Sequence, residues 1–217
     1  MNLKTSRLFF ILILLAANAQ AQTVSVSQSQ ATPAFTLLLS PKVDAHSTLY
    51  TVKSGDTFTS ISKKNHVTPD LLLLVNGIDD KKLRTGASLK IPTYKFSVIV
   101  HKHQNTLLLK GDEEVLKTYV VATGINNSTP VGVFKITDKL MNPVWYKNNK
   151  AIQPGSAENQ LGTRWMGISK RGYGIHGTVE PDKLGQQVTA GCVRMKNEEV
   201  EELYRIVPAG TQVAIVD

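Results

Sequence analysis

From Phe96 onward the chain is a run of short apolar and β-branched segments cut by turn residues, and this pattern restricts the fold most. Phe96-Ser97-Val98-Ile99-Val100 is followed, after a polar turn, by Thr106-Leu107-Leu108-Leu109. Gly111-Asp112 turns the chain again, Val115 to Ala122 gives a third run, and Val133-Phe134-Lys135-Ile136 a fourth. Short runs at this spacing argue for an antiparallel, largely β domain. Only Glu198 to Ile206 has clear helical periodicity there, with Val200, Leu203 and Tyr204 on one side. Gln212-Val213-Ala214-Ile215-Val216 closes the chain as a strand.

A smaller unit precedes it, from Thr48 to about Tyr94. Leu49-Tyr50-Thr51-Val52 alternates like a strand, and Ser54-Gly55-Asp56-Thr57 turns. Thr57 suits a helix N-cap, with Phe58, Ile61 and Ser62 following at helical spacing. Thr68 caps a second helix with Pro69 at its first position. Leu71, Leu72, Leu74 and Val75 supply its buried face, and Asn76-Gly77 ends it. Ser88-Leu89-Lys90-Ile91-Pro92 is a closing strand, so the order is strand, helix, helix, strand.

Tyr50-x-Val52-x-x-Gly55-Asp56-Thr57, with Ile61, Val67, Leu71, Asn76, Leu83, Gly86, Leu89, Ile91 and Pro92, resembles a LysM domain over its whole length. The resemblance implies binding to N-acetylglucosamine-containing glycans such as peptidoglycan or chitin. It implies a sugar groove between two loops, here Gly55-Asp56-Thr57-Phe58 and Asn76-Gly77-Ile78. Each of these residues has an alternative role as a turn or cap residue.

The N-terminus reads as an export signal. Lys4 and Arg7 precede an uncharged run from Leu8 to Ala17, and Ala19-Gln20-Ala21 fits a small-x-small cleavage site. The apolar run falls short of the about 20 residues that span a bilayer, and no later stretch is long and apolar enough. Residues 22–47 are rich in Ser, Gln, Thr and Ala and read as a flexible linker, interrupted by Phe35 and Leu37-Leu38-Leu39. The expected division is signal peptide 1–21, linker 22–47, LysM module 48–93 and second domain 95–217. The formal charge of +8, two units of it in the leader, suits either an anionic wall or membrane surface or simple solubility. No dense Lys/Arg run with interleaved aromatics is present, which speaks against nucleic acid.

Cys192 is the only cysteine, so no internal disulfide can form. In an exported protein a lone cysteine points to intermolecular pairing or a reactive thiol, with an inert buried residue as the alternative. Its surroundings favour reactivity. Thr189-Ala190-Gly191-Cys192-Val193-Arg194-Met195 lies downstream of Gly174-Ile175-His176-Gly177-Thr178, with the imidazole sixteen positions before the thiol. Acyl transfer by a thiol needs a thiolate, a proton acceptor and donors for the developing oxyanion. A free thiol with a pKa of about 8.5 is mostly protonated near neutrality, so a neighbouring imidazole matters. His176 is the best-placed base, and Gly177 lets backbone approach it. Gly191 permits a tight turn aiming the Gly191 and Cys192 N–H groups at one oxygen. Glu180 and Asp182 read as loop caps and solvated charges. No metal-ligand spacing surrounds His176, so neither metal nor cofactor is expected.

The same residues, with Gly185, resemble the signature of YkuD-type L,D-transpeptidases. Ala122-Thr123-Gly124 with Thr129-Pro130-Val131-Gly132, Asn142-Pro143-Val144-Trp145, Pro154-Gly155 and Leu161-Gly162-Thr163-Arg164-Trp165 resemble the family's upstream segments. The implied fold class is α+β, a small βααβ LysM module before a mainly β catalytic domain. The implied reaction is attack by Cys192 on a peptidoglycan tetrapeptide stem, release of D-alanine, and transfer of the acyl group from the thioester to an amine, giving 3→3 cross-links. The resemblance implies that the Gly177 carbonyl orients His176, that Gly191 supplies an oxyanion N–H, and that carbapenems acylate the thiol. Thr189 is expected beside the substrate. Arg194 either binds a substrate carboxylate or holds its loop through backbone carbonyls. One departure stands out, because the family often has Ser-His-Gly-Cys where this chain has Thr189-Ala190-Gly191-Cys192. An L,D-carboxypeptidase, an enzyme attaching protein lysines to the wall, and an inactive peptidoglycan binder remain alternatives. The expected location is the periplasm or cell wall, with peptidoglycan as partner.

Overall fold

The computed structural model of the protein describes residues 28–78 and 83–217. The expected signal peptide lies outside them. From Gln30 the chain is structured, which corrects the expectation of a flexible linker up to residue 47. β1 (Gln30–Ala31) pairs antiparallel with Thr118 and Lys117. Thr32 then caps α1 (Pro33–Leu39), accepting from the Phe35 N–H at 3.3 Å while its hydroxyl donates to the Leu116 carbonyl at 2.9 Å. Phe35 and Leu38, three apart on one helix face, are buried in the main core. The polar composition of the segment hid this, because the surface covering these two side chains comes from residues far away in sequence.

Lys90 fastens the segment. It is only 2% exposed, and its ammonium donates to the Leu37 and Ser40 carbonyls at 2.9 Å each and to the Asp44 carboxylate at 3.0 Å. The cation thus satisfies the free carbonyls at the C-terminal end of α1. Burial pushes the Asp44 carboxyl up, but the bonds from Lys90 and from the His46 N–H outweigh it and leave its pKa below the ordinary value.

The next unit has the expected order of β2 (Ser47–Thr51), α2 (Phe58–Lys64), α3 (Pro69–Asn76) and β3 (Ser88–Pro92), with β2 and β3 antiparallel. Thr57 accepts from the Ser60 N–H at 3.0 Å, and Ser60 accepts in return from the Thr57 N–H at 2.9 Å, a reciprocal capping box. Thr68 accepts from the Leu71 N–H at 2.9 Å and donates to the Arg205 carbonyl, tying this unit to the second domain. Leu71, Leu72 and Val75 are buried as expected, while Leu74 is half-buried.

The second domain begins with a meander of β4 (Phe96–His101), β5 (Thr106–Gly111) and β6 (Glu114–Val120). Then follow β7 (Thr123–Gly124), β8 (Gly132–Met141), a hairpin of β9 (Trp145–Lys147) and β10 (Lys150–Ile152), β11 (Arg164–Ile168) and β12 (Gly174–His176). β13 (Gln187–Thr189), β14 (Val193–Arg194), α4 (Asn197–Ile206) and β15 (Gln212–Val216) complete it. Among the described residues the main sheet has nine strands in the order β1-β6-β5-β4-β15-β8-β11-β12-β14. The expectation of an antiparallel domain holds for most pairs. It fails where β15 joins β4, β14 joins β12 and β13 joins β7, all parallel. α4 buries Val200, Leu203 and Ile206, with Tyr204 only half-buried.

Replacing Lys90 with methionine leaves Asp44 and the ends of α1 without their cation. Lys90→Met is expected to destabilise the protein by about 2 kcal/mol in urea unfolding and to expose residues 28–46 to limited proteolysis.

Candidate active site

The parallel register of β12 on β14 sets Ile175 beside Val193 and His176 beside Arg194. Cys192, one residue before β14, is thereby carried to the strand that holds His176. The Thr189–Cys192 turn is closed by the Thr189 hydroxyl, which accepts from the Gly191 N–H at 3.0 Å and donates to the Cys192 carbonyl at 2.7 Å. Gly191 has φ +130°, and a Cβ there would come within 2.6 Å of the Tyr173 ring, so only glycine fits. Two expectations are corrected by this turn. Thr189 is 3% exposed with its hydroxyl engaged inside the loop, which removes it from substrate contact. The Gly191 N–H, expected to face an oxyanion, is held by Thr189. The Cys192 N–H has no acceptor among the described residues.

Cys192 is half-buried, and its Sγ lies 3.7 Å from the Gly172 carbonyl. It lines a cavity of about 250 Å³ together with Trp145, Leu161 and Trp165. His176 is 4% exposed, with Nδ1 2.7 Å from the Gly177 carbonyl. With a carbonyl as its partner Nδ1 is the donor, and the Gln160 backbone is a second partner of the ring. Burial pushes the His176 pKa from 6.5 to about 4, against the Gly177 carbonyl and with the help of Arg194. Burial also raises the Cys192 thiol, opposed by the Gly174 N–H and Arg194. Near neutral pH the resting pair is therefore thiol and neutral imidazole, an arrangement suited to general-base activation.

A lone cysteine just before one strand, with a buried neutral histidine at the end of its parallel neighbour, has recognisable relatives. Residues 95–215 match the L,D-transpeptidase catalytic domain, YkuD, and residues 50–92 match the LysM domain. The chain belongs to the L,D-transpeptidase family. It is 36% identical over 173 residues to the L,D-transpeptidase-family protein YkuD of Bacillus subtilis strain 168, covering 76% of this chain and 97% of that one. The family member YqjB of the same organism is 44% identical over 126 residues, covering 55% and 70%. An L,D-transpeptidase crystal structure from Mycobacterium tuberculosis H37Rv shares the fold with a TM-score of 0.50 at 18% identity, over 61% of this chain and 63% of that one.

In this member of the L,D-transpeptidase family the remaining motif residues act as framework. Arg194 is 8% exposed and donates to Glu180 at 2.8 Å and to the Gln160 side chain at 2.9 Å. It ties two loops to β14 through their side chains, not through the backbone carbonyls expected of a loop-holding role. Glu180, expected as a solvated cap, is its ionic partner. Two asparagines escaped the sequence reading. Asn197 accepts from the Thr163 and Thr178 N–H groups at 3.1 and 3.2 Å and donates to the Thr178 carbonyl at 3.0 Å. A Cβ on Gly177 or Gly162 would collide with it, which accounts for both glycines. Buried Asn159 donates to the Pro143 carbonyl at 2.9 Å and accepts from the Leu161 N–H at 3.0 Å, fixing the β9–β10 hairpin beside the cysteine cavity. Nothing local in the sequence separates such residues from solvated loop asparagines.

In the LysM unit, Asp56, Thr57 and Phe58 line a cavity of about 370 Å³ with Thr59 and Leu83, while Asn76, Gly77 and Ile78 do not. Gly55 supplies a turn at φ +82°. Asp56 accepts from the Tyr50 hydroxyl and the Lys53 N–H at 2.8 Å each. Asn76 clasps β3, accepting from the Lys90 N–H at 2.7 Å and donating to its carbonyl at 2.9 Å. Gly77 ends α3 at φ +59°, and half-buried Ile78 packs on the core. Among the described residues no three His, Cys, Asp or Glu side chains converge to hold a metal, and no helix is long and apolar enough to cross a membrane.

The unfolded chain protonates His176 near pH 6.5, whereas the folded one resists until about 4. The stability that neutral His176 contributes is complete above about 6.5 and is lost as pH falls towards 4, by about 3 kcal/mol in all. Urea unfolding across this range should show that slope, and His176→Gln should flatten it.

Proposed function

We propose that this protein is an exported peptidoglycan L,D-transpeptidase that carries the acyl group on Cys192. The observation that supports this best is the only cysteine of the chain, lining a cavity, with a buried neutral histidine on the adjoining strand. In the first half-reaction the Nε2 of His176 takes the thiol proton as Sγ adds to the carbonyl of the L-centre of the diamino acid at position three of a tetrapeptide stem. The developing oxyanion accepts from the Cys192 N–H, a donor without another partner. The C–N bond then breaks, His176 returns its proton to the leaving amine, and D-alanine departs from the thioester. In the second half-reaction an amine of another stem attacks the thioester. His176 takes the amine's proton, the C–S bond breaks, the proton passes to the departing thiolate, and a 3→3 cross-link forms.

Ala190 bears on the choice between an active enzyme and an inactive binder. Its side chain is exposed, outside the turn held by Thr189. Loss of the imidazole that relatives often carry there leaves the thiol and His176 untouched, which favours activity. The LysM unit is assigned to hold the enzyme on glycan strands, with the cavity at Asp56, Thr57 and Phe58 as its sugar site. Its working place is the periplasm or the wall.

Incubation of the protein with disaccharide-tetrapeptide, followed by mass spectrometry, is expected to yield cross-linked dimer. Tripeptide with free D-alanine and no dimer would identify a carboxypeptidase, and transfer to a protein lysine an attachment enzyme. Carbapenem is expected to add covalently to the wild type and not to Cys192→Ala. Absence of both turnover and adduct would leave a peptidoglycan binder. For the sugar site, Thr59→Trp fills the cavity from an exposed position and should weaken pelleting with insoluble peptidoglycan several-fold, by about 1 kcal/mol.

A further inference from the structure

Behind His176 lies a second layer of contacts. Trp165 stands opposite His176 in the β11–β12 register, and its ring stacks on the imidazole at 5.8 Å between centroids and 23° between planes. The indole N–H donates to the Asp138 carboxylate at 2.8 Å, and Asp138 also accepts from the Thr137 hydroxyl at 2.8 Å. Two glycines make room. A Cβ on Gly174 would meet the far edge of the indole at 2.7 Å, and one on Gly167 would collide with the Asp138 carboxylate. Trp165 also lines the Cys192 cavity.

We propose that Asp138 and Trp165 are positioning residues for the thiol–imidazole pair: the carboxylate fixes the rotation of the indole, and the indole holds the imidazole plane against β12 and walls the cavity. The proposal rests on reading Cys192 and His176 as the reacting pair. The physical case is one of degrees of freedom. The bonds from His176 to the Gly177 and Gln160 backbones hold the imidazole at its edge and restrain its tilt out of the ring plane only weakly. A flat aromatic face at stacking distance removes that tilt. The indole can itself rotate unless its only polar atom is held, and Asp138 holds it from β8. Asp138 is exposed, so it contributes little to the core, and its role is expected in rate more than in stability.

The test uses the full chain and follows formation of the carbapenem adduct by mass spectrometry and stopped-flow absorbance. Asp138→Ala is expected to lower the limiting first-order acylation rate about fivefold to tenfold, the scale of one lost hydrogen bond. The carbapenem concentration giving half that rate should stay within about twofold. Asp138→Asn keeps an acceptor and should recover most of the rate. Trp165→Leu should lower the limiting rate further than Asp138→Ala, and the double variant should add little to it, because both act through one indole. Unchanged limiting rates in Asp138→Ala would overturn the proposal, as would a loss confined to apparent affinity or a failure of Asp138→Asn to rescue. An adduct that persists in Cys192→Ala would instead overturn the reading of the reacting pair itself.

Discussion

The parallel pairing of β12 with β14 is the constraint on which the site depends. Parallel neighbours cannot be joined by a tight hairpin, and the chain must cross over through a dozen or more residues. The fifteen residues between His176 and Cys192 are that crossover: a single 3₁₀ turn over Pro181–Lys183, then β13, then the Thr189 turn. The pairing is reinforced from both sides. The Met195 N–H donates to the His176 carbonyl at 2.8 Å, and Arg194 and Ala122 exchange two backbone bonds at 2.9 Å each. A spacing that looks in the sequence like a catalytic signature is, physically, the length needed to bring two strands side by side in the same direction.

Holding a histidine neutral and easing the ionisation of a cysteine in one place are opposing demands. Burial keeps the imidazole unprotonated and available as a base, but it also keeps the thiol protonated. Arg194 acts on both groups in the useful sense, disfavouring the imidazolium and favouring the thiolate. Its own charge is balanced by Glu180, so the guanidinium can stay nearly buried without a substrate to pair it. The glycines around the site belong to the same economy of space. They let backbone carbonyls, amides and flat rings approach each other where a methyl group would intervene.

Local rules made the LysM unit legible almost residue by residue, because its helices are capped by Thr57 and Thr68 and ended by Gly77. Cys192 and His176 were legible for a different reason, their rarity and glycine-flanked setting. What escaped are interactions whose two halves lie far apart. Lys90 reads as a surface lysine in its strand, and only the fold brings the end of α1 and Asp44 to it. Asn197 and Asn159 look like ordinary polar positions until three backbone segments converge on them. The contacts of Thr189 within its turn and of Arg194 with Glu180 and Gln160 are equally hidden, since a motif shows that a residue type is needed and not which neighbour it meets. The parallel strands were missed because alternation of side chains is the same in parallel and antiparallel neighbours.

The N-terminal segment changes how the two domains relate. A flexible linker would let the LysM unit and the transpeptidase domain move independently, coupled only by effective concentration. Here β1 adds to the edge of the catalytic sheet, while α1 buries Phe35 and Leu38 and is fastened at its end to β3 of the LysM unit. Thr68 reaches Arg205 on α4 from another side. Two attachments at separate points resist rotation as well as separation. On the proposed function, a glycan held by the LysM unit would approach Cys192 at a set distance and angle, so the register between sugar and stem would be a property of the fold rather than of chance encounter.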